Sequence, residues 1–173
     1  SRINSYLGRA TYNFNEKYFG EFSFRRDGST RFNENTRWGN FLAGGASWIV
    51  SKENFLVGSN TLNYLKIRGS YGELGNNRTT SLFPYQSVFQ TGFVNEGNSG
   101  ILLEGVSDAN LRWEKVESLN IGADFELFNG TISGTVEYYN KESVDLILDK
   151  PLPRSLGVNK IVTNIGSIKN YGW

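Results

Sequence analysis

One pair of side chains in this sequence has a spacing that could support hydrolytic chemistry, Asp124 and Glu126. In an extended strand these two residues share a face, with Cα atoms about 6.6–7 Å apart. That separation overlaps the carboxyl spacing of inverting glycosidases. However, the 173 residues include no His and no Cys, which removes the commonest general base and the usual nucleophilic triads. Solvated charges are therefore the favoured interpretation of the pair, and we expect a protein that is not an enzyme.

A second set of candidates consists of arginines and tryptophans near predicted loops. Guanidinium groups can hold anionic ligands through paired hydrogen bonds, and indole rings could stack on sugars. The competing interpretation gives the arginines a role in solubility and strand register, and the tryptophans a role in an interfacial belt. The candidates retained for contact with a ligand or a covering partner are Arg26, Arg31, Arg37, Trp38 and Trp113. Arg25 accompanies Arg26 in the sequence.

Metal, cofactor and nucleic-acid sites are not indicated. The stretch Asp27-Gly28-Ser29 lacks the acidic density of a calcium loop and predicts a turn. Without Cys there is neither a disulfide framework nor a thiolate metal site. The formal net charge is +1 with mixed signs throughout, so no basic face for nucleic acid is expected. We expect no cofactor.

The elements that must position these residues are long antiparallel strands. The clearest lies within Arg112 to Leu148, where apolar and polar residues alternate on both sides of Asn129-Gly130. Alternation places one kind of residue on each face of a strand, and Asn-Gly supplies the positive φ of a tight hairpin turn. Leu119, Ile121, Ala123 and Phe125 are expected to face lipid, and Asn120, Asp124 and Glu126 to face a polar lumen.

Two fold classes fit this alternating pattern, a transmembrane β-barrel and a soluble β-sandwich, and strand length distinguishes them. Soluble strands usually run about 5–6 residues, whereas membrane-crossing strands need about 9–11. The remaining alternating segments are also long, and they are joined by short turns on one side and long loops on the other, as in outer-membrane barrels. We predict an all-β, antiparallel up-and-down transmembrane β-barrel, present as six strands and part of a seventh. A soluble carbohydrate-binding β-sandwich would share the parity pattern and stays the alternative.

Particular segments define that meander. A first hairpin spans 5–27, a third strand covers about 38–51, and a fourth begins near Leu65. Gly44-Gly45 could mark a bulge or bend. The stretch from Asn76 to Leu111 is a long loop with apolar patches, and Ile161 to Trp173 begins a further strand. No signal peptide is recognisable, and both ends look like cuts through a larger polypeptide.

Several short motifs follow one another in an order that resembles a known family. They are Phe24-Arg25-Arg26-Asp27-Gly28-Ser29-Thr30-Arg31-Phe32, Arg37-Trp38-Gly39, Leu65-Lys66-Ile67-Arg68-Gly69-Ser70-Tyr71-Gly72, Gly75-Asn76, Asn110-Leu111-Arg112-Trp113-Glu114, Asn120-Ile121-Gly122, Asp124-Phe125, Tyr138-Tyr139-Asn140-Lys141, Asn164-Ile165-Gly166-Ser167 and Asn170-Tyr171-Gly172-Trp173. Together they resemble the SusC/RagA-type TonB-linked outer membrane proteins over nearly the whole chain. Ile49 and Tyr171 depart from the residues expected at their positions, without disturbing the alternation.

The resemblance implies a transporter whose barrel of about 22 strands surrounds a plug. Residues 1–173 would then be part of the C-terminal β-barrel domain, with the plug domain not present. The family imports oligosaccharides or peptides across the outer membrane of Bacteroidota. It works with a SusD-like lipoprotein lid and the TonB complex, which the parent chain would contact through parts absent here. Outer-membrane lipid is the remaining expected partner.

Overall fold

The computed structural model describes residues 2–79, 82–158 and 160–173. Its strands in chain order are β1 Ile3–Phe14, β2 Tyr18–Ser29, β3 Trp38–Ile49, β4 Leu62–Asn76, β5 Val88–Asn95, β6 Asn98–Gly105, β7 Glu114–Leu127, β8 Ile132–Val144, β9 Ile147–Pro151, β10 Lys160–Asn164 and β11 Ser167–Gly172. Short 3-10 helices occupy Val50–Lys52 and Arg154–Leu156. Within the described residues, no helix has the length and apolar character needed to cross a membrane.

Seven of the strands form one antiparallel sheet in the order β1-β2-β3-β4-β7-β8-β11. Two separate hairpins, β5–β6 and β9–β10, extend from the connections between the later strands. Strands β1 to β4, β7 and β8 contain 12 to 15 residues each. Lengths above the soluble norm and up-and-down order confirm the predicted partial barrel. In the described part of the chain no second sheet lies on the apolar face, where the alternative β-sandwich would place one.

The connections alternate between two sides of the sheet. On the turn side lie the turn at 15–17, the link 50–61 and the turn at 128–131. Asn129 and Gly130 have φ values of 54° and 83°, as the hairpin prediction required, and Phe128 shares this conformation at 52°. On the loop side lie three connections, described over residues 30–37, over 77–79 and 82–113, and over 145–158 and 160–166. The last two connections contain the separate hairpins.

Strand register divides the sheet into an apolar outer face and a polar inner face. Paired residues of neighbouring strands share a face, so the outer face of β1–β2–β3 can be followed row by row from the turn side. The rows are Phe14–Tyr18–Trp48, Tyr12–Gly20–Ala46, Ala10–Phe22–Gly44 and Gly8–Phe24–Leu42. None of these rows carries a charged residue. On β7, Leu119, Ile121, Ala123 and Phe125 share the corresponding face through their pairs with β4.

Aromatic rings border this apolar face on the turn side. The Tyr18 ring stacks on Trp48 with centroids 6.1 Å apart, and Phe14 lies 6.4 Å from Tyr18. Glu53, in the following link, accepts hydrogen bonds from the Tyr18 hydroxyl at 2.6 Å and the Trp48 indole at 3.1 Å. These bonds, the Tyr18 one foremost, hold the pKa of the Glu53 carboxyl below its ordinary value. The Glu53 carboxylate therefore fixes the link between β3 and β4 to these aromatic rings.

Some predicted boundaries and local features were wrong. Pairing of β3 with both neighbours continues through Gly44-Gly45 without a bulge, and the sheet's irregularity lies instead between Leu62 and Tyr64. The stretch from Ile161 is two strands, because β10 pairs with β9 outside the sheet before β11 joins β8. Asp27-Gly28-Ser29 is not a turn, since these residues complete β2 and pair with β1.

Candidate functional site on the inner face and loop side

A charge network crosses three strands of the inner face. The Arg68 guanidinium on β4 lies 3.2 Å from an Asp124 oxygen on β7 and also binds Glu137 on β8. The other Asp124 oxygen accepts a hydrogen bond from the Thr135 hydroxyl at 2.9 Å. Both oxygens of Asp124 are thus engaged, as expected for a structural ion-pair partner rather than one half of an acid–base pair with Glu126.

Further ion pairs extend the polar character of this face towards β1. Arg9 on β1 lies 2.9 Å from Glu21 on β2, with both side chains about half exposed. Nearer the loops, Arg25 lies 2.8 Å from Asp27, whose side chain is buried. The inner face is therefore a surface of paired charges that offers donors and acceptors to a polar solute or to another part of the protein.

Where the inner face meets the loops, the chain has its main hydrophobic core. We call this cluster the collar; its buried members are Phe32, Phe41, Leu111 and Trp113. The Trp113 ring lies 5.5 Å from both Phe32 and Phe41, which it approaches in tilted and edge-on geometry. Such contacts add to the free energy gained by burial. The collar joins the loop after β2, the strand β3 and the segment before β7.

Hydrogen bonds fix the same loops around the collar. The Trp113 indole donates to the Arg37 carbonyl at 2.8 Å, and the Thr36 hydroxyl donates to the Leu111 carbonyl at 2.7 Å. Buried Ser29 accepts a hydrogen bond from the Asn77 side chain at 3.1 Å, and Arg31 donates to the Asn77 carbonyl at 3.1 Å. The family-like motifs around residues 24–39, 75–76 and 110–114 therefore converge on one structure. Sequence spacing alone did not reveal this convergence.

A second joint ties the segment before β7 to the β9–β10 hairpin. The Arg112 guanidinium binds both carboxylate oxygens of Asp145 at 3.0 and 2.8 Å. The Asn164 side chain accepts from the Arg112 amide at 2.8 Å and donates to the carbonyls of Arg112 and Asp145 at 3.0 and 2.7 Å. The hydrogen bonds from Arg112 lower the pKa of the Asp145 carboxyl. Asp145 itself has a φ of 54°, a conformation that these contacts must maintain.

The five candidate residues occupy two different places. Trp113, Arg31 and Arg37 belong to the collar and its hydrogen bonds. Trp113 is only 6% exposed, so its predicted place in an interfacial belt is wrong: it packs inside the collar. Arg26 and Trp38 lie instead on the outer face, in the rows Tyr6–Arg26–Asn40 and Asn4–Gly28–Trp38. The parity that Arg26 shares with Phe22 and Phe24 could have separated it from Arg25 in the sequence. Contact of any of these residues with a ligand or lid stays a prediction.

The β5–β6 hairpin carries apolar side chains that the rest of the described chain leaves uncovered. Its register places Phe89, Val94 and Ile101 on one face, and these residues are 58%, 70% and 70% exposed. Leu82 and Phe83, just before the hairpin, are also exposed. The predicted apolar patches therefore exist as surfaces able to contact a partner.

The chain is similar over its whole length to a described family and to proteins of known structure. The profile of the family "TonB dependent receptor-like, beta-barrel" matches residues 1–173. TonB-dependent receptor P3 of Formosa agariphila is 36% identical, with the match covering 100% of this chain and 18% of that protein. TonB-dependent receptor SusC of Bacteroides thetaiotaomicron is 34% identical, covering 97% of this chain and 17% of that protein.

The fold of the chain is also similar to that of solved structures. The structure of the RagAB peptide transporter superposes with a TM-score of 0.86 at 29% identity, covering 98% of this chain and 19% of that one. The RagAB peptide importer in its "open-open" state gives a TM-score of 0.85 at the same identity. The chain therefore spans less than a fifth of the length of the relatives named here.

Proposed function

The chain belongs to the TonB dependent receptor-like β-barrel family, and from this premise we propose that its parent protein imports a bulky polar nutrient across the outer membrane of a Bacteroidota-like bacterium. The cargo is an oligosaccharide or a peptide. A SusD-like surface lipoprotein covers the barrel, and the TonB complex supplies energy through parts of the parent chain outside residues 1–173. In this arrangement the present chain supplies wall strands and part of the extracellular mouth.

The inner face supports this proposal because its chemistry suits polar contents. The network around Arg68, with the Arg9–Glu21 pair, gives a surface of compensated charges rather than a single-sign field. Such a surface can form hydrogen bonds with a plug domain or with a passing hydrophilic solute, and it does not bind solutes of one charge sign too tightly to release them. The relatives named for peptide transport support a peptide as one class of cargo.

The observation that carries the proposal is the apolar face of the β5–β6 hairpin. Phe89, Val94 and Ile101 stand on the loop side of the sheet, opposite the short turns, with more than half of each side chain exposed. Large apolar residues clustered in water favour an interaction surface. We assign this face to the contact with the lipoprotein lid, which would bury the three residues while the transporter is closed over its cargo. A hairpin that folds back on its own barrel rim is the competing outcome.

The test is made in cells with the full-length transporter and its lid. Phe89, Val94 and Ile101 are replaced together by Ser, which retains the β-ladder and removes apolar surface. Each buried side chain of this type contributes about 1.5–3 kcal/mol. We therefore expect lid co-purification to fall at least about tenfold and nutrient uptake to fall with it. Outer-membrane insertion of the barrel should be unchanged.

The matched control replaces Gln90 with Ser, because its pairing with Leu102 places this polar residue on the opposite face of the same hairpin. Lid association and uptake should then match those of the unmodified protein. Unchanged lid association in the triple variant would overturn the assignment of this hairpin to the lid. Unchanged uptake of both oligosaccharides and peptides after deletion of the whole transporter would overturn the proposed import function.

A further inference from the structure

A cation and two aromatic rings meet on the outer face at the loop side of the sheet. The Arg26 guanidinium lies 5.0 Å from the ring centroid of Trp38, and the Tyr6 ring stacks on Trp38 at 5.9 Å. Asn40 and Asn4 flank them in the same two rows and are exposed. These rows are the first polar ones above the apolar rows of β1, β2 and β3.

The height of this cluster places it at the membrane boundary. Trp38 and Trp48 lie on the same face of β3, ten residues apart. Ten residues of strand extend about 33 Å, and a tilt of about 40° reduces this to about 25 Å along the membrane normal, the height of the apolar band of such barrels. With the Trp48 belt at the turn-side boundary, the Arg26 and Trp38 rows lie at the opposite headgroup level.

The ring and the cation are held in place by the backbone beside them. Gly28 lies under Trp38, and a Cβ at this position would come within 2.8 Å of the indole. Glycine is thus required for the ring to lie across β2, where it borders Arg26. A guanidinium over an indole is stabilised by the ring's electron-rich face and loses little side-chain freedom on binding an anion. The cluster is therefore preorganised.

Arg26 has no acidic partner in the part of the chain that the structure describes. Every other arginine on the paired strands β1 and β2 has one: Arg9 binds Glu21 and Arg25 binds Asp27, both on the inner face. An unpaired cation beside an apolar, lipid-facing surface calls for an anion supplied from outside the chain. We propose that Arg26, Trp38 and Tyr6 bind a phosphate of a phosphorylated glycolipid in the outer leaflet.

Recognition would divide between charge and stacking. Arg26 would donate hydrogen bonds to the phosphate oxygens. Asn40 and Asn4 would donate further hydrogen bonds to phosphate or sugar oxygens. Trp38 and Tyr6 would cover the adjoining sugar and the first acyl carbons, as interfacial aromatic residues do. The proposal rests on the outer-membrane placement of the barrel and makes no use of the imported cargo.

The experiment compares lipid retention by the full-length transporter and its Arg26→Gln variant in nanodiscs. Three discs are used, containing a diphosphorylated lipid A, the same lipid without phosphates, or phosphatidylglycerol, each diluted in phosphatidylethanolamine. Bound lipid is counted by native mass spectrometry. One interfacial cation is worth about fivefold in binding, so Arg26→Gln should retain about fivefold less diphosphorylated lipid A. Arg26→Lys should retain an intermediate amount, because the charge stays and the planar fork is lost.

Controls separate this site from general attraction. Arg9→Gln, on the inner face of the neighbouring strand, should retain as much lipid A as the unmodified protein. Equal retention by the Arg26→Gln variant would overturn the proposal, as would equal retention of the lipid without phosphates. Equal retention of phosphatidylglycerol would overturn the assignment to a glycolipid. Uptake of nutrient in cells is scored separately, so a negative lipid result leaves the import proposal standing.

Discussion

The hairpin β9–β10 is held against the sheet by packed side chains and hydrogen bonds, whereas β5–β6 rises from the same side with its apolar residues uncovered. Ile147 and Val162 of the first hairpin pack on the collar, and Asn164 joins it to Arg112. The second hairpin is connected at its base, where Val106 bridges Ile161 and the Ser87 and Ser107 hydroxyls lie 3.2 Å apart.

This difference shows that loops of one barrel end can serve two purposes. A hairpin that shares a core with the sheet adds to the stability of the barrel mouth and keeps its shape. A hairpin with little buried surface opens and moves at a smaller free-energy cost. The sequence of β5–β6 is nevertheless rich in large apolar residues. Such residues are costly to leave in water unless a partner covers them.

The largest expected loss of stability comes from a substitution in the collar, which anchors β9–β10. Trp113→Ala removes the central ring of the collar and the donor to the Arg37 carbonyl. We expect the full-length barrel to lose about 3–5 kcal/mol of unfolding free energy, measured by denaturant unfolding in lipid vesicles. Phe89→Ala in the free hairpin is the matched control and should change stability by less than about 0.5 kcal/mol. Similar losses from both substitutions would mean that the two hairpins are equally integrated.

A smaller effect should come from the second joint. Asn164→Ala removes two hydrogen bonds to Arg112 and one to the Asp145 carbonyl, which we expect to cost about 1–3 kcal/mol. Hydrogen exchange should accelerate in β9 and β10 while β4 and β7 keep their protection. Asn98→Ala, in the free hairpin, should leave the exchange of both regions unchanged. Uniform acceleration across the sheet would contradict a local role for Asn164.

The smallest effect concerns pH. The pKa of Asp145 is lowered from its usual value of 3.8, chiefly by hydrogen bonds from Arg112. A carboxyl with a lowered folded pKa stabilises the fold above its usual pKa, and the contribution is lost as pH falls through the lowered value. Acidification below about pH 4 should therefore loosen β9–β10 in hydrogen exchange. Asp145→Asn should show that looser state at neutral pH and no further acid response there; an unchanged acid response would assign it to another group.

Much of the barrel wall could be predicted from the sequence because alternation is a local property. Strand residues point to opposite faces whatever their neighbours, so the parity of Leu119, Ile121 and Ala123 fixed their common face. Asn129-Gly130 fixed the hairpin for the same kind of reason, since a positive φ depends on the residues in the turn itself. The alternation also predicts that Arg26 lies on the apolar face, although the neighbouring Arg25 makes the two arginines look equivalent in the sequence.

The collar, by contrast, could only be found in three dimensions. Phe32, Phe41 and Trp113 come from segments far apart in the chain, and no local pattern states that they meet. Whether Trp113 borders lipid or a buried core depends on how the loop after β2 folds over it. The split between β10 and β11 has the same origin, since it depends on which strand Lys160–Asn164 finds as a partner. Whether a residue lies in a strand, and on which face, follows from its own backbone and polarity. Which residues are buried, and which strands pair, depends on contacts between segments that are distant in sequence. Those contacts exist only in the folded chain.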